Sequence, residues 1–381
     1  MIIKLLFKKY SVILLLILFI YVRLRVRSIN PLWIDEITEI NSLKSLNFLI
    51  IKYLPGIPGG APGHYLLEYF VYNLFPYNKY ILGLPGLLSQ ILVFFLIPHV
   101  ITSMQFIKEN RLFISIFITR FLFAIDPTLT FQSMEVRPYS LLPLLWVISF
   151  FVVITLHQND YVSFELKKLL RNTIIWCPLI LFIFIWHFYG VIMILTIYLF
   201  ILFRKKVTIY SLSKTKYSFP IIFSSFMISI PVWRYFSKGS FTFNFSTLST
   251  IPLAFMQIYS VNKGFPQGLI WQNWLYFICL LFMLSITVWN LLLVIKGSSK
   301  NYESISFVRM NIFLVGIPLL TILMMDYINR YGFWYRQFAW VMIPFYISLG
   351  LIISEYLIKF SHFQISSSLA SNINHIIHIR R

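Results

Sequence analysis

Long apolar runs, separated by short stretches that carry most of the basic side chains, leave this chain few possible architectures. Hydrophobic residues make up 59% of its 381 residues, only 12% are charged, and the mean hydropathy is +0.80. A helix that crosses a bilayer needs a run of roughly 20 apolar residues, and several runs here are that long. The composition therefore predicts an all-α polytopic membrane protein with a single transmembrane domain over residues 1–381 and no soluble domain.

Apolar runs with charged ends predict ten spanning helices. They cover residues 10–27, 81–101, 112–128, 139–157, 173–187, 190–203, 217–235, 271–295, 310–328 and 338–358. The stretch 63–75 is short and aromatic and carries His64 and Glu68, so we expect an amphipathic juxtamembrane helix in the interface there. Counting 63–75 as an eleventh span would move the basic clusters of all later inner loops to the outside. Ten spans with an inner N terminus satisfy the positive-inside rule better.

The net charge of +20 does not indicate a nucleic-acid partner. Its basic residues lie in the gaps between apolar runs, which is typical of topology signals and of contact with membrane phospholipids. The two cysteines, Cys177 and Cys279, lie inside apolar runs without metal-ligand or disulfide spacing. No nucleotide-binding loop occurs, so a reaction would have to draw its energy from the substrate itself.

Three longer segments face the outer side in this topology, at 28–80, 126–140 and 236–270. The first contains PLWIDEITE, with Asp35, Glu36 and Glu39 just after the first apolar run. Carboxylates are costly to bring near lipid, and burial would raise their pKa towards that of a general base. The alternative is an acidic first turn of an interfacial helix, where carboxylates suit the helix dipole.

The second outer segment, SMEVRPYSLLPL, places Glu135, Arg137 and Tyr139 directly before a span. Their alternate spacing predicts one side of an extended stretch, and Pro138 suits a helix start. The alternative is a pair of interfacial anchors. HFYG, with His187 and Tyr189, lies at an outer turn, where a lone histidine is often an ordinary interfacial residue.

A later outer turn, DYINRYGFWYRQ, offers two guanidinium groups, on Arg330 and Arg336. Two guanidinium groups at an outer interface suit bidentate contact with a phosphate. They suit the headgroups of bulk lipids equally well, so spacing alone leaves both readings open.

The order of these motifs resembles the C-type (GT-C) membrane glycosyltransferases, in the branch of the protein O-mannosyltransferases and the bacterial lipid A aminoarabinose transferase. The resemblance rests on WIDE (33–36), APGHYLLEYF (61–70), LGLPGLL (82–88), SMEVRPYSLLPL (133–144) and HFYG (187–190). It covers about the first 200 residues, and the remainder shares topology only. The chain departs from the family in having Pro62-Gly63 where relatives carry two prolines, and in lacking the large soluble C-terminal domain of some relatives.

The resemblance implies a GT-C module at 1–235, with the outer loop 28–80, followed by C-terminal transmembrane helices at 236–381. It implies Asp35 as the catalytic base, Glu36 as its support, and Glu135 as the second acidic position. The substrate-binding residues that go with this reading are Arg137, Tyr139, His187, Tyr189, Lys263, Arg330 and Arg336. We assign no metal ligands; some relatives hold a divalent cation (Mg²⁺ or Mn²⁺) with outer carboxylates, and the mannosyltransferases need none.

The expected function is transfer of a sugar from a polyprenyl-phosphate donor to a lipid, glycan or protein acceptor, with inversion, on the outer side of a bacterial plasma membrane. Two alternatives stay open. A transporter or lipid-glycan flippase would place charged residues deep within spans, where the sequence shows only Arg120. A non-catalytic membrane subunit of envelope-glycan assembly would leave the outer carboxylates dispensable.

Overall fold

The fold is helical throughout the part of the chain that the structure, a computed structural model, describes. This part comprises residues 2–29, 40–41, 61–76, 78–104, 107, 109–133, 135–158, 166–187, 189–204, 220–230, 285–289, 292, 302–321 and 340–358. Nearly all of these residues are helical and no strand occurs among them. The all-α fold class is therefore confirmed.

The helices follow the predicted apolar runs closely. In chain order they are α1 (Ile2–Ile29), α2 (Pro62–Leu74), α3 (Lys79–Leu82), α4 (Leu84–Ser103), α5 (Glu109–Ile125), α6 (Pro127–Gln132), a 3-10 turn (Pro138–Leu141), α7 (Leu142–Gln158), α8 (Leu166–Trp186), α9 (Tyr189–Arg204), α10 (Pro220–Ile230), α11 (Tyr302–Met310, continued by a π-helical turn Asn311–Gly316) and α12 (Met342–Ile358).

One predicted span ends earlier than its apolar run. The run 112–128 continues past Ile125, but α5 stops there and a new helix, α6, begins at Pro127. The carboxylate of Asp126 accepts a hydrogen bond from the Leu129 backbone N–H at 2.6 Å. An aspartate cap followed by proline at the first helical position starts a helix, so the chain turns a corner inside the apolar run.

The number of spans stays a prediction. Two described helical segments, Leu84–Ser103 and Pro138–Thr155, are long and apolar enough to cross a membrane, and shorter apolar helices accompany them. Parts of the predicted spans 217–235, 271–295 and 310–328 lie outside the described residues.

The core lies where α4, α7, α8 and α9 meet, and it is filled by large side chains such as Trp146 and Phe150. Gly190 allows the sharp turn between α8 and α9, because a Cβ atom there would lie 2.1 Å from the Ile183 side chain and 2.9 Å from that of Leu145. This close packing fixes the turn that carries His187.

Helix α2 reverses the usual arrangement of polar and apolar faces. Its buried side carries His64, Tyr65, Glu68 and Tyr72, whereas its exposed side carries Leu66, Phe70 and Leu74 at helical spacing. A second exposed apolar row runs along α4, at Leu84, Leu88, Leu92 and Phe95. Such rows of exposed apolar side chains mark surfaces that contact lipid or another protein.

Candidate functional site

A cluster of buried polar side chains lies where the inner face of α2 meets the 3-10 turn and the end of α8. Gly63 allows this approach, because a Cβ atom there would lie only 3.0 Å from the Trp186 indole. Tyr65 and Tyr72 of α2 pack against Val136, the residue between Glu135 and Arg137. We call the group of Glu135, Arg137, Tyr139, His187, Tyr189, His64 and Glu68 the polar cluster.

His64 and Glu68 form the α2 side of the polar cluster. They are one helical turn apart, so both side chains lie on the same face, and His64 Nε2 is 4.0 Å from Glu68 Oε1. His64 is completely buried, and neither ring nitrogen has a hydrogen-bond partner among the described residues. Burial first, and then the electrostatic effect of the neighbouring His187 and Arg137, lower the pKa of His64 to about 3. His64 is therefore neutral at physiological pH.

His187 lies in the turn between α8 and α9 with its ring orientation fixed. Its Nδ1 accepts a hydrogen bond from the Tyr189 backbone N–H at 3.1 Å, so the neutral ring carries its proton on Nε2. The imidazole stacks on the Tyr189 ring at 4.7 Å and lies 5.7 Å from the Tyr139 ring. The turn thus presents an Nε2–H donor held between two aromatic rings.

The segment before α7 carries Glu135, Arg137 and Tyr139, but not as one extended stretch. Arg137 is extended, with φ −147° and ψ 151°, whereas Tyr139 lies in the 3-10 turn that Pro138 begins. The expectation of three residues along one extended side is wrong beyond Arg137, because proline fixes its own φ and starts the turn. The Arg137 guanidinium lies 5.7 Å from the centre of the Tyr139 ring, and Glu135 is buried.

An apolar groove of about 520 Å³ runs from the polar cluster along the helices. Its walls come from α2, α3, α4, the 3-10 turn, α7 and α8, and His187 is the member of the polar cluster that lines it. Several wall residues, among them Leu88, Leu92 and Phe182, are also exposed on the outside of the molecule, so the groove is open along its side. Its volume lies within the roughly 300–1,000 Å³ of ordinary ligand sites.

The structure brings together five of the predicted site residues. Glu135, Arg137, Tyr139, His187 and Tyr189 all belong to the polar cluster, while Asp35, Glu36, Lys263, Arg330 and Arg336 lie outside the described residues. Sequence reasoning did not assign His64 or Glu68 to the site. Their spacing of four residues on an amphipathic stretch was the available signal.

The described residues alone do not fit a metal ion. His64 and Glu68 supply two ligand types, but within the described ranges no group of three or more His, Cys, Asp or Glu side chains is placed to hold a cation. A divalent ion bound by carboxylates of the first outer loop stays a prediction.

Comparisons of the chain with family models, with curated proteins and with solved structures gave no match. The geometry of the polar cluster and the apolar groove is therefore the basis for assigning a function.

Proposed function

We propose that the chain is an integral membrane glycosyltransferase of the plasma membrane that takes a sugar from a polyprenyl-phosphate donor on the outer side. The observation that carries this proposal is the apolar groove lined by His187, a residue of the buried polar cluster. The acceptor is a lipid, a glycan or a protein, and the bundle spans the membrane about ten times.

The groove and the cluster match the two halves of such a donor. A polyprenyl chain is apolar along its length, and the walls of the groove offer it almost only aliphatic and aromatic side chains. The phosphate at its end is anionic and would lie near the Arg137 guanidinium and the Nε2–H of His187. Charge-assisted hydrogen bonds of this kind are stronger than neutral ones and strengthen as the leaving group gains charge.

Asp35 is the proposed base, with Glu36 as its support. Ile40 is buried and packs in the same small core as Tyr65 and Val136. Asp35 precedes Ile40 by five positions in the sequence, and Asp35 and Glu36 themselves lie outside the described residues. The support for Asp35 as the base is thus its position in the sequence, shortly before a residue of this small core.

The proposed reaction needs no nucleotide. Asp35 takes the proton of an acceptor hydroxyl or amine, the acceptor oxygen or nitrogen forms a bond to the anomeric carbon, and the bond between that carbon and the phosphate oxygen breaks. The polyprenyl phosphate leaves with the electron pair, and attack from the opposite face inverts the anomeric centre. Arg137 and His187, together with Lys263, Arg330 and Arg336, would stabilise the departing phosphate.

Turnover in bilayer discs tests the proposal. The purified protein is offered undecaprenyl-phosphate mannose or undecaprenyl-phosphate aminoarabinose with lipid A, a glycan or a peptide, and released undecaprenyl phosphate is measured. We expect release by the wild type and a loss of about 100-fold or more for Asp35→Asn, since general base catalysis contributes roughly 10²–10⁴-fold. Arg137→Gln should lose turnover too, whereas Arg111→Gln, which removes an ion pair to Glu355 on the far side of the fold, should not.

A transporter or flippase is the second candidate, and one observation favours it. Arg23 is buried like Arg120, so two buried arginines lie inside the predicted spans among the described residues. Both, however, donate hydrogen bonds to backbone carbonyl groups, as structural arginines do. A flippase would move the intact lipid-linked sugar from one leaflet of a vesicle membrane to the other without releasing undecaprenyl phosphate, and that result would favour this alternative. Product formation that is normal in Asp35→Asn would remove the assignment of the base.

A further inference from the structure

Arg23, near the end of α1, makes the most complete set of hydrogen bonds in the described part of the chain. Its Nε and Nη2 donate to Gln90 Oε1 at 3.2 and 2.9 Å, its Nη1 donates to the Phe19 and Ala124 carbonyl groups at 3.3 and 3.0 Å, and its Nη2 also donates to the Phe123 carbonyl at 3.2 Å. The guanidinium lies 3.4 Å from the centre of the Phe19 ring.

Two of these acceptors identify what Arg23 does. Phe123 and Ala124 lie in the last turn of α5, where carbonyl groups have no partner within the helix and the dipole favours a cation. Arg23 therefore caps the C terminus of α5 with a side chain from another helix. It is buried completely, so water does not replace these hydrogen bonds.

The start of α6 is fixed by the same group of residues. Gln90, which accepts from Arg23, donates through Nε2 to the Leu129 carbonyl at 2.9 Å. Asp126 caps α6 through the Leu129 N–H and also accepts a hydrogen bond from the Tyr346 hydroxyl on α12. Four helices, α1, α4, α5 and α12, thus converge on one corner of the chain, which we call the α5–α6 corner.

The α5–α6 corner sets the path of the segment that enters the polar cluster. Only eight residues separate Asp126 from Glu135, and α6 occupies six of them. The far end of the segment is held against α4, where Ser89 donates to the Ser140 carbonyl at 3.1 Å. Between these two anchors lie Glu135 and Arg137.

We propose that Arg23 and Gln90 are positioning residues for the catalytic segment 133–140. They touch neither donor nor acceptor; they hold the α5–α6 corner so that Glu135 and Arg137 face the substrate. The catalytic part of this inference rests on the proposed glycosyltransferase function, whereas the positioning part does not.

Hydrogen exchange tests the positioning without any substrate. Arg23→Gln is compared with Arg120→Gln. Arg120 is a buried arginine on α5 that donates to the Phe94 carbonyl at 3.0 Å, an acceptor that Arg23 does not use. We expect amide exchange to rise at least tenfold over residues 127–141 in Arg23→Gln and to stay within twofold of wild type there in Arg120→Gln. Equal protection of 127–141 in both variants would overturn the proposal.

Gln90 supplies milder variants, in case Arg23→Gln does not fold. Gln90→Leu removes both the acceptor for Arg23 and the donor to the Leu129 carbonyl, whereas Gln90→Glu keeps the oxygen that accepts from Arg23. We expect faster exchange over 127–141 in Gln90→Leu and partial recovery in Gln90→Glu. Identical behaviour of the two Gln90 variants would contradict a role that runs through Arg23.

Kinetics tests the link to catalysis. With a donor that the wild type uses, Gln90→Leu should lower kcat about 10- to 100-fold at a donor KM within twofold of wild type, because small displacements of catalytic groups cost about that much. An unchanged kcat together with loosened exchange would overturn the catalytic role. If the wild type turns over no donor, the proposed function fails, and exchange alone decides the positioning.

Discussion

Two side chains in this molecule are equally buried and yet differ in how they are bonded. Arg23 has no exposed surface and its guanidinium donates five hydrogen bonds, whereas His64 also has none and its ring nitrogens have no hydrogen-bond partner in the described part of the chain. Buried polar groups are nearly always bonded, and a saturated network specifies one structure. His64 departs from this rule within the described part of the chain.

The difference also locates function relative to structure. The same difference separates two parts of the molecule, the hydrogen-bonded α5–α6 corner and the polar cluster, in which the ring nitrogens of His64 have no hydrogen-bond partner among the described residues. A binding or catalytic site needs side chains that are held in place by packing and by hydrogen bonds from neighbouring residues.

Replacing Arg23 should give the largest loss of stability. Arg23→Met leaves Gln90 Oε1 and the carbonyl groups of Phe123 and Ala124 buried without donors, so we expect the free energy of unfolding to fall by about 3–5 kcal/mol. Thermal unfolding in bilayer discs measures this loss. Arg120→Met, which removes one described hydrogen bond, should lose about 1–2 kcal/mol. Equal losses of stability for the two variants would contradict the view that the hydrogen bonds of Arg23 stabilise the fold more than the hydrogen bond of Arg120 does.

Gly86 tests the other anchor of the segment 133–140. A Cβ atom at this position would lie 2.5 Å from the Ser133 carbonyl oxygen and 2.7 Å from Ser140 Cβ, so Gly86→Ala pushes the segment away from α4. We expect a loss of about 1–3 kcal/mol, as for overpacking in other cores, measured by thermal unfolding.

Gly316→Ala is the matched control for this change. The nearest atom to a Cβ there, the Asn311 carbonyl oxygen, is 3.5 Å away, which is an ordinary contact. That variant should be neutral or slightly stabilised, because alanine favours helix over glycine. A Gly86→Ala protein as stable as Gly316→Ala would mean that α4 and the segment separate at little cost.

His64 should make stability depend on pH in a predictable direction. Its pKa is 6.5 when unperturbed and about 3 in the folded protein, because the ring is buried and because His187 and Arg137 lie nearby. Below pH 6.5 the unfolded chain takes up a proton that the folded chain does not, so stability falls as the pH falls towards 3. The slope should approach roughly 1.4 kcal/mol per pH unit below pH 6.5.

Unfolding midpoints of wild type and His64→Gln between pH 7.5 and 5 measure the slope due to this histidine. The variant should lose less stability on acidification, with Glu68 and the other neighbours unchanged. Parallel pH profiles for the two proteins would show that the unbonded ring of His64 carries no energetic cost when protonated.

Much of the helical layout was predictable because apolar runs and charged ends report directly on which residues avoid water. The same reasoning placed Glu135, Arg137, Tyr139, His187 and Tyr189 among the site residues. It did not place His64 and Glu68 there, because a polar helix face next to an apolar one suggests contact with water, and the structure turns that face inward.

The role of Arg23 was not predictable for a different reason. Three of its four acceptor residues accept through backbone carbonyl groups. Every residue type has such a group, so no pattern of side chains in the sequence predicts these hydrogen bonds. The early end of α5 had a clearer signal in Asp126 and Pro127, which the long apolar run masked.

Because the apolar groove is open along its side, the rate at which it captures a lipid-linked donor would depend on the concentration of that donor in the membrane. A prenyl chain entering past Leu88, Leu92 and Phe182 would never leave the hydrocarbon phase, so its capture is a two-dimensional encounter within one leaflet. The quantity that governs occupancy is then the mole fraction of donor among the surrounding lipids, and diluting the vesicles in buffer would leave the rate unchanged, whereas diluting the donor with carrier phospholipid would lower it.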